Sequence, residues 1–264
     1  MRSCRFAVGD RVARGTIEGE SVTEADGGAV HSLAEVRLLS PTVPSKYLAI
    51  ALNYEDHIAE TGMEAPKVPM FFNKQVSCVV GPGAEIHMPK VSDKLDYEGE
   101  LAVVIGKRCR HVTPEQAREV IAGYTIANDV SVRDWQIKAM TMQIGKSFDT
   151  HGPLGPWLVS LDELGDPHAL GIRTFVNDEQ RQDGNTSSMV FDSFEQIAHL
   201  SKAMTLEPGD VIATGTPAGV GSAFQPFPEG FLKVGDRVRV EIDGIGELTN
   251  VVVPEPDDFL AEPA

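Results

Sequence analysis

Three acidic side chains carry the first chemical signal in this sequence. In "KLDYEGELAVVIG", residues 94–106, Glu98 and Glu100 stand two positions apart. Residues i and i+2 of a β-strand point to one face, so the two carboxylates would lie side by side. Ala102 and Val104 continue that face and send it into the core. Like charges so close repel, and burying them unpaired costs roughly several kcal/mol. A hard divalent cation with oxygen ligands would remove the repulsion; magnesium, manganese and calcium all qualify. Asp129, which ends the apolar stretch of "TIANDVSVRD", is a candidate third ligand. The competing reading is a solvated acidic strand start, the ordinary fate of surface carboxylates.

Two further sites could do acid–base work. His57 and Glu60 are at i and i+3, so one helical turn would set them on the same face. Most such pairs are solvated helix surface, and no second histidine follows at zincin spacing. Asp56 adjoins His57 but would face another way. Lys146 sits in "IGKSFDT", where Gly-Lys-Ser resembles the end of a phosphate-binding loop. That motif needs a glycine at the position held by Met140, so it fails. Ile144, Phe148 and "HGPLGP" place Lys146 half-buried beside a turn. "TGTPAGVG", residues 214–221, reads on its own as a glycine-rich turn.

The elements that must position these residues are mostly strands. Residues 46–52, 69–74, 101–106, 123–130, 172–177, 210–215, 236–242 and 246–253 have strand patterning. Thr113-Pro114-Glu115-Gln116 has the form of a helix N-terminus, with Gly123 closing that helix. Ser193 with Gln196 repeats the capping-box pattern, and residues 56–62 can make one or two helical turns ending at Gly62. Long β runs with isolated helices define an α+β, mainly β chain rather than alternating βαβ units. The first forty residues alternate polar and apolar around Gly9-Asp10 and Glu18-Gly19, as hairpins do. "SPTVPSK", residues 40–46, is the linker candidate. Expected units are a small N-terminal β domain (1–42), a main domain (43–254) and a C-terminal tail (255–264).

Composition excludes several functions. The chain has 264 residues, enough to bury a large core without disulfides. Against 23 basic residues there are 39 acidic ones, a net charge of −16. That opposes binding to nucleic acid or to an anionic membrane surface. Three widely spaced cysteines form no zinc or redox motif. No apolar run reaches membrane-spanning length and the N-terminus has no signal-peptide core, so a cytoplasmic protein is expected.

Five stretches, "LNYEDH", "LDYEGELAVVIG", "ANDVSVRDWQ", "GKSFDTHGPLGPW" and "DVIATGTPAGVG", resemble the motifs of the fumarylacetoacetate hydrolase family, in order and spacing. The resemblance runs from residue 46 to about 253, and the first forty residues resemble the small domain that precedes it in many bacterial members. It implies the family's mixed β-sandwich roll, usually a homodimer. It implies Glu98, Glu100 and Asp129 as ligands of one ion, magnesium or manganese and in some members calcium. Arg133, Gln136 and Thr216 would contact substrate, and Lys146 would steady a developing enolate. His57 and Glu60 would be an acid–base dyad on a lid, with Gly62, Pro66 and Pro69 as hinges. Tyr54, Lys74 and Asp149 would line the pocket. Two departures, Ala51 before Leu52-Asn53-Tyr54 and Phe72-Asn73-Lys74-Gln75 for Phe-Leu-Lys-Pro, fall near the lid and distal pocket, where substrate identity is set.

The implied chemistry is hydrolysis of a carbon–carbon bond in a small 2,4-dioxo acid of the acylpyruvate or fumarylpyruvate type, giving pyruvate and a carboxylic acid. Isomerisation, tautomerisation or decarboxylation of a 2-oxo dicarboxylate, such as oxaloacetate or a homoprotocatechuate-pathway intermediate, would use the same residues. A non-catalytic protein with a structural ion is a third reading, against which Lys146, His57 and Glu60 speak together.

Overall fold

The structure is a computed structural model that describes residues 1–25 and 27–257. Strands dominate it, in two large sheets. The larger has twelve strands. Its central path runs Arg2–Val8, Gly152–Val159, Ile121–Asn128, Gly99–Ile105, Val211–Ala213, Tyr47–Ala51 and Met70–Lys74. The second has five: Glu179–Asn185, Gly171–Val176, Arg237–Ile242, Gly246–Pro254 and Glu85–Met88.

The unbroken aliphatic run after Glu100 is explained by burial on both faces. Leu101, Val103 and Ile105 pack against Ile172, Val240 and Ile242 of the second sheet and against Ile197 and Leu200. The last two belong to the helix Ser193–Ala203. Ala102 and Val104 point the other way, into a cluster with Tyr47, Phe72, Ala127 and Leu154. Gly99 is required where the two sheets come close together: a Cβ there would stand 2.2 Å from Thr174 Oγ1.

The N-terminal strands close on their own small core of Cys4, Phe6, Ile17 and Val22. Their first strand also joins the large sheet, with Arg2 opposite Val159 and Ser3 opposite Leu158. The tail expected at 255–264 lies outside the described residues from 258 onward. No helix among those described is long and apolar enough to cross a membrane.

Several local expectations are corrected. The stretch 94–106 is not one strand: Leu95–Asp96 pairs separately with Ser131–Val132, and the main strand starts at Gly99. The helix opened by Thr113 has the expected capping box but is short, and Gly123 lies within the next strand. There a Cβ would meet Val159 O at 2.5 Å, so close strand packing, not helix termination, requires that glycine. The long helix is capped by Asp192 with Glu195, one residue before the expected Ser193. Ser193 is instead buried, bonded to Tyr124 and His168. Finally, "HGPLGPW" is not a turn but the start of the central strand Gly152–Val159. Its register against Ile121–Asn128 shifts between Tyr124 and Ile126, so Pro156 sits where the ladder is interrupted and no N–H is needed.

His151, fully buried just before this strand, lies 2.8 Å from the His87 carbonyl through Nε2. Nε2–H therefore donates, and Nδ1 is left unprotonated with no partner. Burial pushes its pKa down to about 3. The unfolded chain takes up this proton near pH 6.5, whereas the native state resists it to about pH 3. Stability should thus fall with pH across that window, by up to ~1.4 kcal/mol per unit from this group. Urea unfolding at pH 7, 6 and 5 should show a shallower slope for His151→Gln than for the unsubstituted protein; equal slopes would refute the assignment.

Candidate active site

The register of four strand ends assembles the acidic cluster. Gly99 pairs with Asn128, so Glu98 and Asp129 fall side by side, and Asp129 N–H donates to Glu98 O at 2.8 Å. Ala102 pairs with Ala213, which brings the following turn to Glu100; Gly215 N–H donates to Glu100 Oε2 at 2.8 Å. One oxygen from each of Glu98, Glu100 and Asp129 lies within 4.8 Å of the others, all three side chains being buried.

Three cations surround this cluster. Lys146 Nζ lies 2.7 Å from Glu98 Oε2 and 2.9 Å from Asp129 Oδ2. Lys74 Nζ lies 2.5 Å from Asp129 Oδ1. Arg133 Nη1 reaches Glu98 Oε1 at 2.6 Å, while its Nε donates to Asp96 Oδ2 at 2.7 Å. Lys146 is buried rather than half-buried as its neighbours implied. It gets there because Gly145 lets its short turn lie on the helix Arg133–Lys138; a Cβ would stand 2.3 Å from Gln136 N.

The charges respond accordingly. Burial opposes the charge of Glu98, but Lys146 and Arg133 outweigh it and hold the carboxyl down to about 2. Burial likewise opposes the Lys146 ammonium, yet Asp129 and Glu98 raise its pKa. Glu100 differs. Burial first, then the neighbouring Asp129 and Glu98, push its pKa well above the carboxylate range. Its hydrogen bond comes from one backbone N–H, with no basic side chain paired to it among the described residues. Three hard oxygen donors with one carboxylate lacking a cation fit a magnesium or manganese ion.

Above the cluster opens a cavity of about 410 Å³. His57, Glu60, Glu98, Glu100, Arg133, Gln136, Lys146 and Thr216 all line it. His57 and Glu60 ride on the helix Glu55–Thr61, ended by Gly62 at φ +68°. His57 Nδ1 is 2.9 Å from Glu60 Oε2, and Gly219 N–H donates to Glu60 Oε1 at 2.9 Å. Asp56 accepts from the His57 backbone N–H, so it does not compete for the ring. Gln136 Oε1 accepts from Arg133 Nη1 at 3.0 Å, while Arg133 Nη2 is buried without a partner. The Thr216 hydroxyl donates to Gly99 O and accepts from Gln182 Nε2, so its proton is already engaged within the protein.

The loosely placed lining residues divide. Lys74 stands behind the cavity as an anchor of Asp129. Tyr54 is buried beside Glu100 with an unpartnered hydroxyl and does not line the cavity. Asp149 is exposed and outside it, a correction. Asp96, which matches no ligand of the family motifs, proves central in another way. Fully buried, it holds Arg133 and accepts from Gly221 N at 2.7 Å and Ser222 N at 2.9 Å. It thereby ties Arg133 to the loop bearing Ser222 and Ala223, and all three of these residues line the cavity. Its two-residue spacing from Glu98 was the available signal, although the strand breaks between them. Gln182, which accepts from Gly99 N–H and holds Thr216, sits in a polar strand that gave none.

A mainly β chain with this buried carboxylate triad under a cavity belongs to a known class of enzyme. Residues 46–253 match the family described as "Fumarylacetoacetate (FAA) hydrolase C-terminal", and residues 1–41 match "Rv2993c-like, N-terminal". The chain is a member of the fumarylacetoacetate hydrolase family. It is 49% identical over 225 residues to the mitochondrial oxaloacetate tautomerase fahd2 of Xenopus laevis, covering 84% of this chain and 70% of that one. It superposes on the 5-carboxymethyl-2-hydroxymuconate delta-isomerase of Mycobacterium smegmatis with TM-score 0.87 and 41% identity, covering 97% of this chain and 100% of the other. It also superposes on the maleylpyruvate hydrolase of Sphingobium sp. SYK-6, solved with manganese(II) and pyruvate, with TM-score 0.81, 32% identity and the same coverage.

Glu100→Gln tests the cluster without any substrate. Removing the carboxylate that has no cation should leave the ion-free protein at least as heat-stable as before. The unsubstituted protein should gain about 2.7 kcal/mol at manganese a hundredfold above Kd, seen as a rise in Tm, and the variant should lose most of that gain. An undiminished rise in the variant would remove Glu100 from the ligand set.

Proposed function

We propose that this enzyme hydrolyses the C3–C4 bond of 2,4-dioxo acids of the acylpyruvate type, releasing pyruvate and a carboxylic acid. What supports the reading is one cavity lined both by carboxylates of the Glu98–Glu100–Asp129 cluster and by the hydrogen-bonded His57–Glu60 pair. A divalent ion held by that cluster would supply Lewis-acid and templating chemistry for the substrate's 1-carboxylate and 2-oxo oxygens.

The protein's own groups divide the remaining work. Arg133 lines the cavity and brings a guanidinium charge to the substrate carboxylate, and Gln136 fixes the plane of the group. Glu60, coupled to His57, takes a proton from water as the water oxygen adds to C4. When the C3–C4 bond breaks, its electron pair stays on C3 as the enolate of pyruvate. The ammonium of Lys146, at the floor of the cavity, stabilises the negative charge. The proton held by the Glu60–His57 pair passes to C3, giving pyruvate, and C4 departs as the acid.

Similarity to an oxaloacetate tautomerase favours a second reading, in which the same pair moves a proton without water attack. Assays with magnesium or manganese on acylpyruvates, fumarylpyruvate and oxaloacetate separate the two. Loss of the diketone absorbance with one pyruvate and one acid per turnover is expected. Carbon dioxide release, or enol–keto relaxation alone, would overturn hydrolysis. Glu60→Gln should lower kcat by about 10²–10⁴-fold with KM little changed.

A further inference from the structure

The cavity lining combines a charged cluster with large apolar side chains, and the apolar set identifies the substrate's tail. At the ion end, the carboxylates of Asp96, Glu98, Glu100 and Asp129 face three cations, Lys74, Lys146 and Arg133. Four against three leave one negative charge over. A divalent ion would turn this into one positive charge, which a single substrate carboxylate neutralises and a second would overshoot. Among the described residues that line the cavity, the basic ones are Arg133, Lys146 and His57. The first two are bound to Glu98 and the third to Glu60, so each is already paired with a carboxylate of the site.

The same cavity is lined by Leu52, Met63, Met70, Phe72, Met142 and Val220, with Phe72 against the Lys146 ammonium, Met142 against the Gln136 amide, and Met63 and Met70 open to solvent. Met70, Phe72 and Lys74 alternate along one face of the edge strand Met70–Lys74. The face grades from Lys74 at the ion end, 2% exposed, through Phe72 at 7% to Met70 at 37%. Met63, just past the dyad's helix, is 57% exposed. Large apolar side chains left in water around a cavity mouth gain by covering one another with an apolar ligand group. Methionine suits such a wall because its unbranched thioether adapts to the shape it covers.

We infer that the acyl group is an aliphatic tail rather than a second carboxylate, so the enzyme selects monocarboxylate acylpyruvates over dicarboxylates. The identity of the pyruvyl end rests on the hydrolase reading; the tail assignment rests on the wall alone.

Calorimetric titration of the Glu60→Gln protein, with and without magnesium, keeps binding apart from turnover. Across acetyl-, butanoyl- and hexanoylpyruvate, Kd should fall about fourfold per methylene, with or without the ion. Fumarylpyruvate should bind the magnesium-loaded protein at least tenfold more weakly than hexanoylpyruvate, and Met70→Lys should reverse that order. A flat series, or fumarylpyruvate binding tightest before the substitution, overturns the inference. The kcat/KM ratios of the unsubstituted enzyme give the same comparison should the Glu60 variant misfold. If affinity follows tail length and no acylpyruvate is cleaved, the hydrolase reading fails and the tail assignment stands. If fumarylpyruvate binds tightest and is cleaved fastest, hydrolysis stands and the tail assignment fails.

Discussion

The whole active site depends on keeping four buried carboxylates within reach of one another. No strand pairing tolerates that arrangement by itself, because each charge removed from water loses several kcal/mol, roughly, of solvation. The protein answers with ammonium and guanidinium groups on three of the four: Lys74 and Lys146 on Asp129, Lys146 and Arg133 on Glu98, Arg133 on Asp96. Among the described residues, Glu100 alone of the four is left to a backbone N–H. The site is thus short of one cation by construction, and the shortage sits on a side chain that shares the cavity wall with the dyad.

Sheet register is what makes this arrangement reproducible. Glu98 precedes one strand, Asp129 follows its antiparallel partner, Gly215 follows the strand on the other side, and Lys74 ends the edge strand. Because the central strands are buried on both faces, a one-residue slip would misplace apolar side chains throughout the core as well as the acidic cluster. Core packing and site geometry are therefore fixed by the same pairings, and Gly99 and Gly145 allow the layers to meet closely enough for both.

Much of this was legible in the sequence because it obeys local periodicity. Two-residue spacing put Glu98 and Glu100 together, three-residue spacing put His57 and Glu60 together, the end of an apolar stretch pointed to Asp129, and family motifs supplied Arg133 and a role for Lys146. What stayed hidden depends on partners distant in sequence. Asp96 stands two residues before Glu98 in sequence, yet its role lies in Arg133, Gly221 and Ser222, which no spacing rule connects to it. Gly152–Val159 was hidden because proline and glycine read as turn signals, and only an interrupted ladder makes them acceptable in a central strand. Ser193 gave way to Asp192 because either residue satisfies the capping pattern, and burial against Tyr124 decides between them. Asp149 had the right neighbourhood in sequence but faces solvent.

The edge strand Met70–Lys74 has one more consequence. Successive same-face residues along a strand are spaced at a fixed interval, so Met70 and Lys74 stand about 13 Å apart along its axis. One end anchors the carboxylate that completes the acidic triad; the other forms the rim of the apolar wall. On the tail assignment proposed above, the strand would act as a ruler laid beside the ligand, its zero at Asp129 and its outer mark at Met70. Selection by length would then be a property of backbone geometry, while the side chain at the outer mark remains free to change without disturbing the zero.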